Sequence, residues 1–189
     1  MDIQKIISLV TKTQGLIKNR EMAAHVKEKG LADYVTQVDI AVQNFLKKEL
    51  FALAPNIQFL GEETGLQEIK GDSFWILDPV DGTTNLMHDY QHSVVSLALC
   101  RQGEIVMGIV YDPFREEVFS AIKGKGSFLN GHPIHVSNAE KLSDTMIGLG
   151  TAKRELADEN FARFRRVFGQ CQDVRRIGSA ALELAYTAC

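Results

Sequence analysis

Apolar residues recur at helical spacing in two stretches of the first third of the chain. Hydrophobic positions with this period form one face of a helix. We therefore predict helical structure over the first turns, a helix from Thr36 to Leu53, and a loop containing Gly30 between them. The two faces are expected to pack together. Their members are Ile3, Ile6, Ile7, Val10 and Ile17 in the first stretch, and Val38, Val42, Phe45, Leu46 and Leu50 in the second.

From Ser93 onward the pattern changes to short apolar runs separated by turn residues, which is typical of an antiparallel meander. Its predicted strands are Val94 to Cys100, Ile105 to Tyr111 and Val118 to Ile122. Shorter runs at 57–60 and 74–77 predict two buried strands upstream. Further on we expect a strand near Met146 to Leu149, a helix from Glu159 to Phe168 and a last helix after Ser179. The pattern indicates one domain over residues 1–189, with a candidate subdomain boundary near 145.

Composition narrows the choice of partners. Hydrophobic residues make up 45% of the chain and charged residues 24%, and the net charge is −3. Basic residues are not concentrated as in a nucleic-acid groove, and no apolar run approaches the roughly 18 residues that span a bilayer. We expect a cytoplasmic protein that binds neither nucleic acid nor membrane. Cys100, Cys171 and Cys189 have no paired spacing and are expected to be buried thiols.

The candidate chemistry is concentrated in the segment from Trp75 to Asn85. Pro79 cannot donate to a strand ladder, so we expect the chain to leave the sheet where Asp78 and Asp81 appear. Two carboxylates so spaced in a turn can converge on a hard cation, and the Val80 carbonyl is a further candidate ligand. The alternative is an ordinary acidic turn in which Asp and Thr serve as caps.

The residues after Asp81 favour an anion next to the cation. Gly82 allows backbone N–H groups to approach an anion closely. A helix that begins near Thr83 or Thr84 would direct its positive end to the same place.

Glu62 and Glu63 follow the predicted strand at 57–60. If both upstream strands end on one side of the sheet, Glu62 meets Asp78, and Glu63 holds a bound water or a ligand. The alternative is solvated surface. Asp39 lies three residues after Thr36 at the start of a predicted helix, which is also a capping arrangement.

These segments together resemble the inositol monophosphatase family, whose motifs are Gly-Glu-Glu and Asp-Pro-hydrophobic-Asp-Gly-Thr-Thr-Asn. Here they stand at 61–63 and 78–85. The resemblance extends to an Asp-hydrophobic-Val-Thr-x-x-Asp pattern at 33–39 and covers nearly the whole chain through the segments 108–113, 124–126, 130–131 and 176–182. It implies an α+β fold, a layered αβαβα sandwich, and a lithium-sensitive, homodimeric phosphatase with two or three Mg²⁺ ions per site.

The resemblance also implies roles for individual residues. The first metal is bound by Glu62, Asp78 and the Val80 carbonyl, and the second by Asp78 and Asp81. Thr83, hydrogen-bonded to Asp39, positions or deprotonates the attacking water, and Glu63 supports this group. The phosphate is held by N–H groups of Gly82 and Thr83, the substrate hydroxyls by Ser179 and Ala180, and Lys27 or Lys29 approaches the phosphate or a third metal.

The implied substrate is a small phosphorylated polyol or sugar, with inositol monophosphate favoured. Members that act on fructose 1,6-bisphosphate, histidinol phosphate, NADP or adenosine 3′,5′-bisphosphate share the same motifs. Family members continue past the equivalent of Cys189 and supply a further aspartate to the second metal. We therefore expect this chain to be part of a longer protein. The alternative is a true short form whose second metal site lacks a ligand. For function, the alternative to an enzyme is a non-catalytic fragment that binds metal and phosphate or dimerises.

Overall fold

The computed structural model describes residues 2–30, 33–64, 68–150 and 157–189. The helices are α1 Ile3–Thr11, α2 Gln14–Ile17, α3 Arg20–Ala24, α4 Gln37–Leu53, α5 Thr83–Met87, α6 Ala157–Phe168 and α7 Ala180–Thr187. Short 3-10 helices span Glu62–Thr64 and Leu142–Asp144. The strands are β1 Val26–Gly30, β2 Asp33–Thr36, β3 Gln58–Gly61, β4 Ser73–Asp81, β5 Val94–Arg101, β6 Glu104–Asp112, β7 Glu117–Ile122, β8 Gly126–Leu129, β9 His132–Pro133, β10 Met146–Gly148 and β11 Asp173–Arg175.

A seven-stranded mixed sheet organises the described residues, with its strands in the order β3 to β9. Strands β3 and β4 are parallel, and every later neighbour in this sheet is antiparallel. The predicted meander corresponds to β5, β6 and β7, and the predicted α+β class is confirmed. Two small sheets stand beside it: antiparallel β1–β2 and parallel β10–β11. The subdomain boundary near 145 stays a prediction.

Helices cover both faces of the central sheet. Along β5 the side chains alternate, so Leu97 and Leu99 belong to the core under α1 and α4, whereas Val94 belongs to a second cluster. In that second cluster Leu182 of α7 packs with Phe119 of β7. The period-two alternation of a strand thus places helices on opposite sides, and α7 arrives from the far end of the chain.

The first helical stripe is interrupted between Thr11 and Gln14, a break that the apolar pattern did not predict. Helix α1 ends at Thr11, and the Thr13 hydroxyl donates to the Val10 carbonyl at 2.6 Å before α2 begins. Thr13 is fully buried, so its hydroxyl needs this partner. The predicted pairing is confirmed, because α1, α2 and α3 all contact α4.

Two expectations from composition can be compared with the structure, one about membrane-spanning segments and one about the cysteines. In the described part of the chain, no helix combines the length and the apolar character that crossing a membrane requires. The expectation that all three cysteines are buried is wrong. Cys100 is buried within β5, but Cys171 is half-buried and Cys189 is exposed, because they lie in the turn after α6 and beyond α7.

Candidate metal and phosphate site

Strand β4 carries both aspartates, so the expectation that the chain leaves the sheet where they appear is wrong. The strand continues past Pro79 to Asp81, and its register against β5 shifts between Asp78, which pairs with Ser96, and Asp81, which pairs with Val94. Proline has no N–H for the ladder but is tolerated at an irregularity of this kind. The bulge thus places the two carboxylates at the carboxyl end of β4 without a break in the strand.

The parallel pairing of β3 and β4 brings the two acidic segments together. Gly61 pairs with Leu77, so Glu62 and Asp78 follow at the same edge of the sheet. Burial above all, and then the charges of Glu62 and Asp81 and a hydrogen bond with Glu62, raise the pKa of Asp78 to about 8, although the hydrogen bond from the Val80 N–H lowers it. Carboxylates crowded together at a partly buried position resist ionisation unless a cation joins them.

The chemical type of these side chains favours a metal site, whereas their present arrangement does not form one. Carboxylates and a backbone carbonyl are the oxygen ligands that hard cations take. Among the described residues, however, no three His, Cys, Asp or Glu side chains already gather as a set able to hold an ion. Asp81 Oδ2 accepts hydrogen bonds from Ser179 Oγ at 2.7 Å and from the Ala181 N–H at 2.6 Å. The residues fit a hard cation in type, and their ligand roles stay predictions.

Lys29 contacts the acidic turn. Its Nζ lies 2.6 Å from Glu63 Oε1 and 3.8 Å from Glu62 Oε1. Lys27 pairs with Val35 within the small sheet and is exposed. Burial raises the pKa of Glu63, which Lys29 partly offsets, while Glu62 and Asp39 raise it further. The Glu62 side chain is 51% exposed and the Glu63 side chain only 9% exposed. The alternative that both are solvated surface residues therefore fits Glu62 in part and Glu63 poorly.

The turn after Asp81 depends on glycine at position 82. Gly82 has φ +98°, and a Cβ built there would stand 2.8 Å from the His92 carbonyl oxygen. Both the backbone conformation and the close contact exclude larger residues. Helix α5 begins directly afterwards at Thr83, as the sequence predicted.

Thr83 joins this turn to the start of α4. Its Oγ1 lies 3.1 Å from Asp39 Oδ1 and 3.0 Å from the Val80 carbonyl oxygen. Asp39 also completes the predicted capping box, since its Oδ2 accepts from the Thr36 N–H at 2.8 Å. Asp39 is 2% exposed, so the cap and the contact with Thr83 coexist in one buried carboxylate. The functional and structural interpretations of Asp39 are therefore compatible.

Ser179 and Ala180 reach the site from the far end of the chain. Ser179 is the N-cap of α7, is almost fully buried, and donates to Asp81 as described above. Ala180 begins α7 beside it. The structure therefore brings Ser179 directly to one predicted ligand, and its proposed contact with substrate stays a prediction.

The sequence did not predict four part-buried hydrogen bonds that three polar side chains make at the site. Asn85 Nδ2 donates to the His92 carbonyl at 2.8 Å and to the Ile177 carbonyl at 2.9 Å. Ser93 Oγ donates to the Gly82 carbonyl at 2.8 Å, and Gln43 Oε1 accepts from the Glu63 N–H at 3.1 Å. Gln43 gave one usable signal, a polar residue beside the apolar stripe of α4. The other two partners could not be inferred from local pattern.

Comparison with known proteins places this geometry in a family. The model of the inositol monophosphatase family matches residues 2–189. An inositol-1-monophosphatase of Rhizobium meliloti (strain 1021) is 43% identical over 170 residues, which are 86% of this chain and 62% of that protein. The chain thus spans less than two thirds of that relative's length.

Solved structures agree with the sequence comparison. The extragenic suppressor protein suhB from Bartonella henselae is 34% identical, with a TM-score of 0.91, over 98% of this chain and 73% of that one. An IMPase/NADP phosphatase complexed with Mg²⁺ and phosphate is 27% identical, with a TM-score of 0.82, over 96% of this chain and 69% of that one. Sequence, fold and the order of the acidic segments agree, and the chain belongs to the inositol monophosphatase family.

Proposed function

We propose that this chain carries most of the active site of a Mg²⁺-dependent phosphoric monoester hydrolase that acts on a small phosphorylated polyol or sugar, with inositol monophosphate favoured. The observation that carries the proposal is the meeting of Glu62 and Asp78 at one sheet edge, with Asp81 and the Gly82 turn beside them. The Mg²⁺ and phosphate of the solved relative support the choice of ligands.

Glu62, Asp78, Asp81 and the Val80 carbonyl would hold two or three Mg²⁺ ions. A bound divalent cation lowers the pKa of a water ligand and neutralises charge on the phosphate and on the leaving oxygen. Asp81 has to exchange at least one of its contacts with α7 before it can take this role.

Thr83 is suited to position the attacking water. A hydroxyl has one hydrogen and two lone pairs. When Thr83 Oγ1 donates to the buried Asp39 carboxylate rather than to the Val80 carbonyl, its lone pairs can accept a hydrogen bond from a water molecule. We assign Glu63 a supporting role, because Lys29 and the Gln43 contact hold it beside this group.

The phosphate and alcohol ends of the substrate would lie on opposite sides of Asp81. N–H groups of Gly82 and Thr83 would donate to phosphate oxygens, as backbone donors do at developing negative charge. The start of α7, at Ser179 and Ala180, would contact the hydroxyl groups of the polyol. Asn85 donates to Ile177, two residues before Ser179, and so ties the two sides together.

The test is release of inorganic phosphate from inositol 1-phosphate in Mg²⁺, with and without EDTA, by this chain and by the product of the full reading frame. Fructose 1,6-bisphosphate, NADP and adenosine 3′,5′-bisphosphate serve as competing substrates. Because one of the two solved relatives described above is an IMPase/NADP phosphatase, NADP is the first alternative substrate. Metal-dependent turnover of inositol 1-phosphate supports the proposal, and its absence from both proteins contradicts it.

Turnover by the longer product alone would identify this chain as a metal- and phosphate-binding part of the enzyme. The resemblance also leads us to propose a homodimer. Sedimentation velocity of the full-length product tests this, and a single monomeric species would contradict it.

A further inference from the structure

Arg115 connects the β6–β7 turn to the segment that follows α5. Its Nη1 donates to Asp112 Oδ2 at 2.9 Å and to the Gln91 carbonyl at 3.0 Å. Its Nη2 lies 3.1 Å from His92 Nε2. A planar guanidinium can donate in several fixed directions at once, so one side chain here joins two separate parts of the chain.

The Arg115 guanidinium is held firmly on the β6–β7 side. Asp112 is fully buried and also accepts from the N–H groups of Phe114, at 2.8 Å, and Arg115, at 3.1 Å. The turn is secured to α2 as well, because Gln14 Nε2 donates to the Pro113 carbonyl at 3.0 Å. A charge-assisted bond to a carboxylate fixed in this way leaves Arg115 little freedom.

The contact with His92 defines the state of that imidazole. A guanidinium only donates, so Nε2 of His92 is the acceptor. Nδ1 then carries the proton and donates to the Tyr90 carbonyl, 2.7 Å away. The imidazole also stacks on the Tyr90 ring with centroids 4.5 Å apart. Arg115 therefore selects one neutral tautomer and one ring orientation.

The segment that Arg115 holds has a strained backbone. Asp89 has φ +56° and Gln91 has φ +24°, values that residues with a side chain rarely adopt. Such conformations persist only where surrounding contacts enforce them. Arg115 donates to the carbonyl of Gln91 itself, which makes it a direct source of this enforcement.

The same segment supports the Gly82 turn. The His92 carbonyl accepts from Asn85, Ser93 Oγ donates to the Gly82 carbonyl, and Gly82 approaches the His92 carbonyl too closely for a side chain to fit. We propose that Arg115 is a positioning residue: held by the buried Asp112, it fixes the segment from Asp89 to His92, and through it the turn that is to bind phosphate. Its consequence for turnover rests on the proposed function.

The test is hydrogen exchange of backbone amides, detected by NMR, in Arg115→Met. The reporters are the amides of Leu86, which donates to Gly82, and Tyr90, which donates to Asn85. We expect both to exchange at least about tenfold faster, while the amides of Val110 and Phe119 in the β6–β7 ladder are unchanged. Unchanged exchange at Leu86 and Tyr90 would overturn the proposal.

Arg20→Met is the matched control, because Arg20 forms an exposed ion pair with Asp89 in the same segment. We expect it to leave both reporters unchanged, and an equal acceleration would overturn a specific role of Arg115. Arg115→Lys should not restore slow exchange, since an ammonium cannot reach all three acceptors. If Arg115→Met does not fold, His92→Phe keeps an aromatic ring beside Tyr90 but removes the hydrogen bonds of the imidazole with Arg115 and the Tyr90 carbonyl, and it should accelerate the same two amides.

Kinetic measurements provide a separate test of the role of Arg115. If the wild-type protein hydrolyses inositol 1-phosphate, Arg115→Met should lower kcat about tenfold with a smaller change in KM, since misplaced groups slow the chemical step. If the wild type does not hydrolyse it, the proposed function has failed, and the exchange measurement alone decides the role of Arg115.

Discussion

Thr83 Oγ1 lies 3.1 Å from Asp39 Oδ1, although 44 positions separate the two residues. The contact joins the first turn of α4 to the first turn of α5. It also gives the best geometric support for a residue that orients water at this site.

We expect Thr83→Val to lower Mg²⁺-dependent phosphate release about 10²-fold, because the hydroxyl that would orient the attacking water is lost. Thr83→Ser should keep most of the activity. Thr84→Val is the control, since Thr84 is the next residue of α5 and is exposed. Near-full activity of Thr83→Val in a phosphate-release assay would remove Thr83 from the mechanism.

Gly82→Ala should destabilise the protein more than Gly71→Ala does. Both glycines have positive φ, +98° and +85°, but only Gly82 has an atom near the added Cβ, the His92 carbonyl oxygen at 2.8 Å. The backbone cost common to both is about 1–2 kcal/mol. The contact should add about 1–3 kcal/mol at Gly82. Urea unfolding measures the difference, and equal losses would show that the turn relaxes away from His92.

Asn85→Asp should lower the free energy of unfolding by about 1–3 kcal/mol, because a carboxylate cannot donate to the His92 and Ile177 carbonyls. The side chain keeps its shape, but the change also adds a negative charge. Asn138→Asp at an exposed position is the control for charge. Equal urea midpoints for the two variants would mean that Asn85 does not tie α5 to the segment before α7.

Mg²⁺ should stabilise this chain even if turnover needs residues outside the given sequence. At about a hundred times its dissociation constant, a bound ion adds about 2.7 kcal/mol to the free energy of unfolding. EDTA should reverse the increase in Tm, and Asp81→Asn should weaken it while the fold is kept. Asp72→Asn, at an exposed site, should respond like the wild type. An identical Mg²⁺ response in Asp81→Asn would contradict its assignment as a ligand.

Local pattern predicted the elements well, because each depends on short-range spacing. The α4 stripe, its Thr36–Asp39 cap and the meander were all visible in the sequence, and the structure contains them. The prediction that Pro79 takes the chain out of the sheet is wrong. A missing N–H ends regular pairing, but β4 absorbs it in a register shift and continues to Asp81.

Contacts between distant segments could not be predicted in this way. Nothing near Asn85 indicates that its amide will reach Ile177, 92 positions away. Likewise the break between α1 and α2 depends on the burial of Thr13 by other elements. The choice between Lys27 and Lys29 also required the pairing of β1 with β2, which fixes where each side chain emerges.

The hydrogen bonds from Ser179 and Ala181 to Asp81 span 98 and 100 positions. During synthesis, therefore, Asp81 emerges from the ribosome long before its partners at α7. Domains generally fold as units during synthesis, so Asp81 would lack these partners until residues near 182 have emerged. Arrested nascent chains of increasing length should thus acquire the finished site late and in one step.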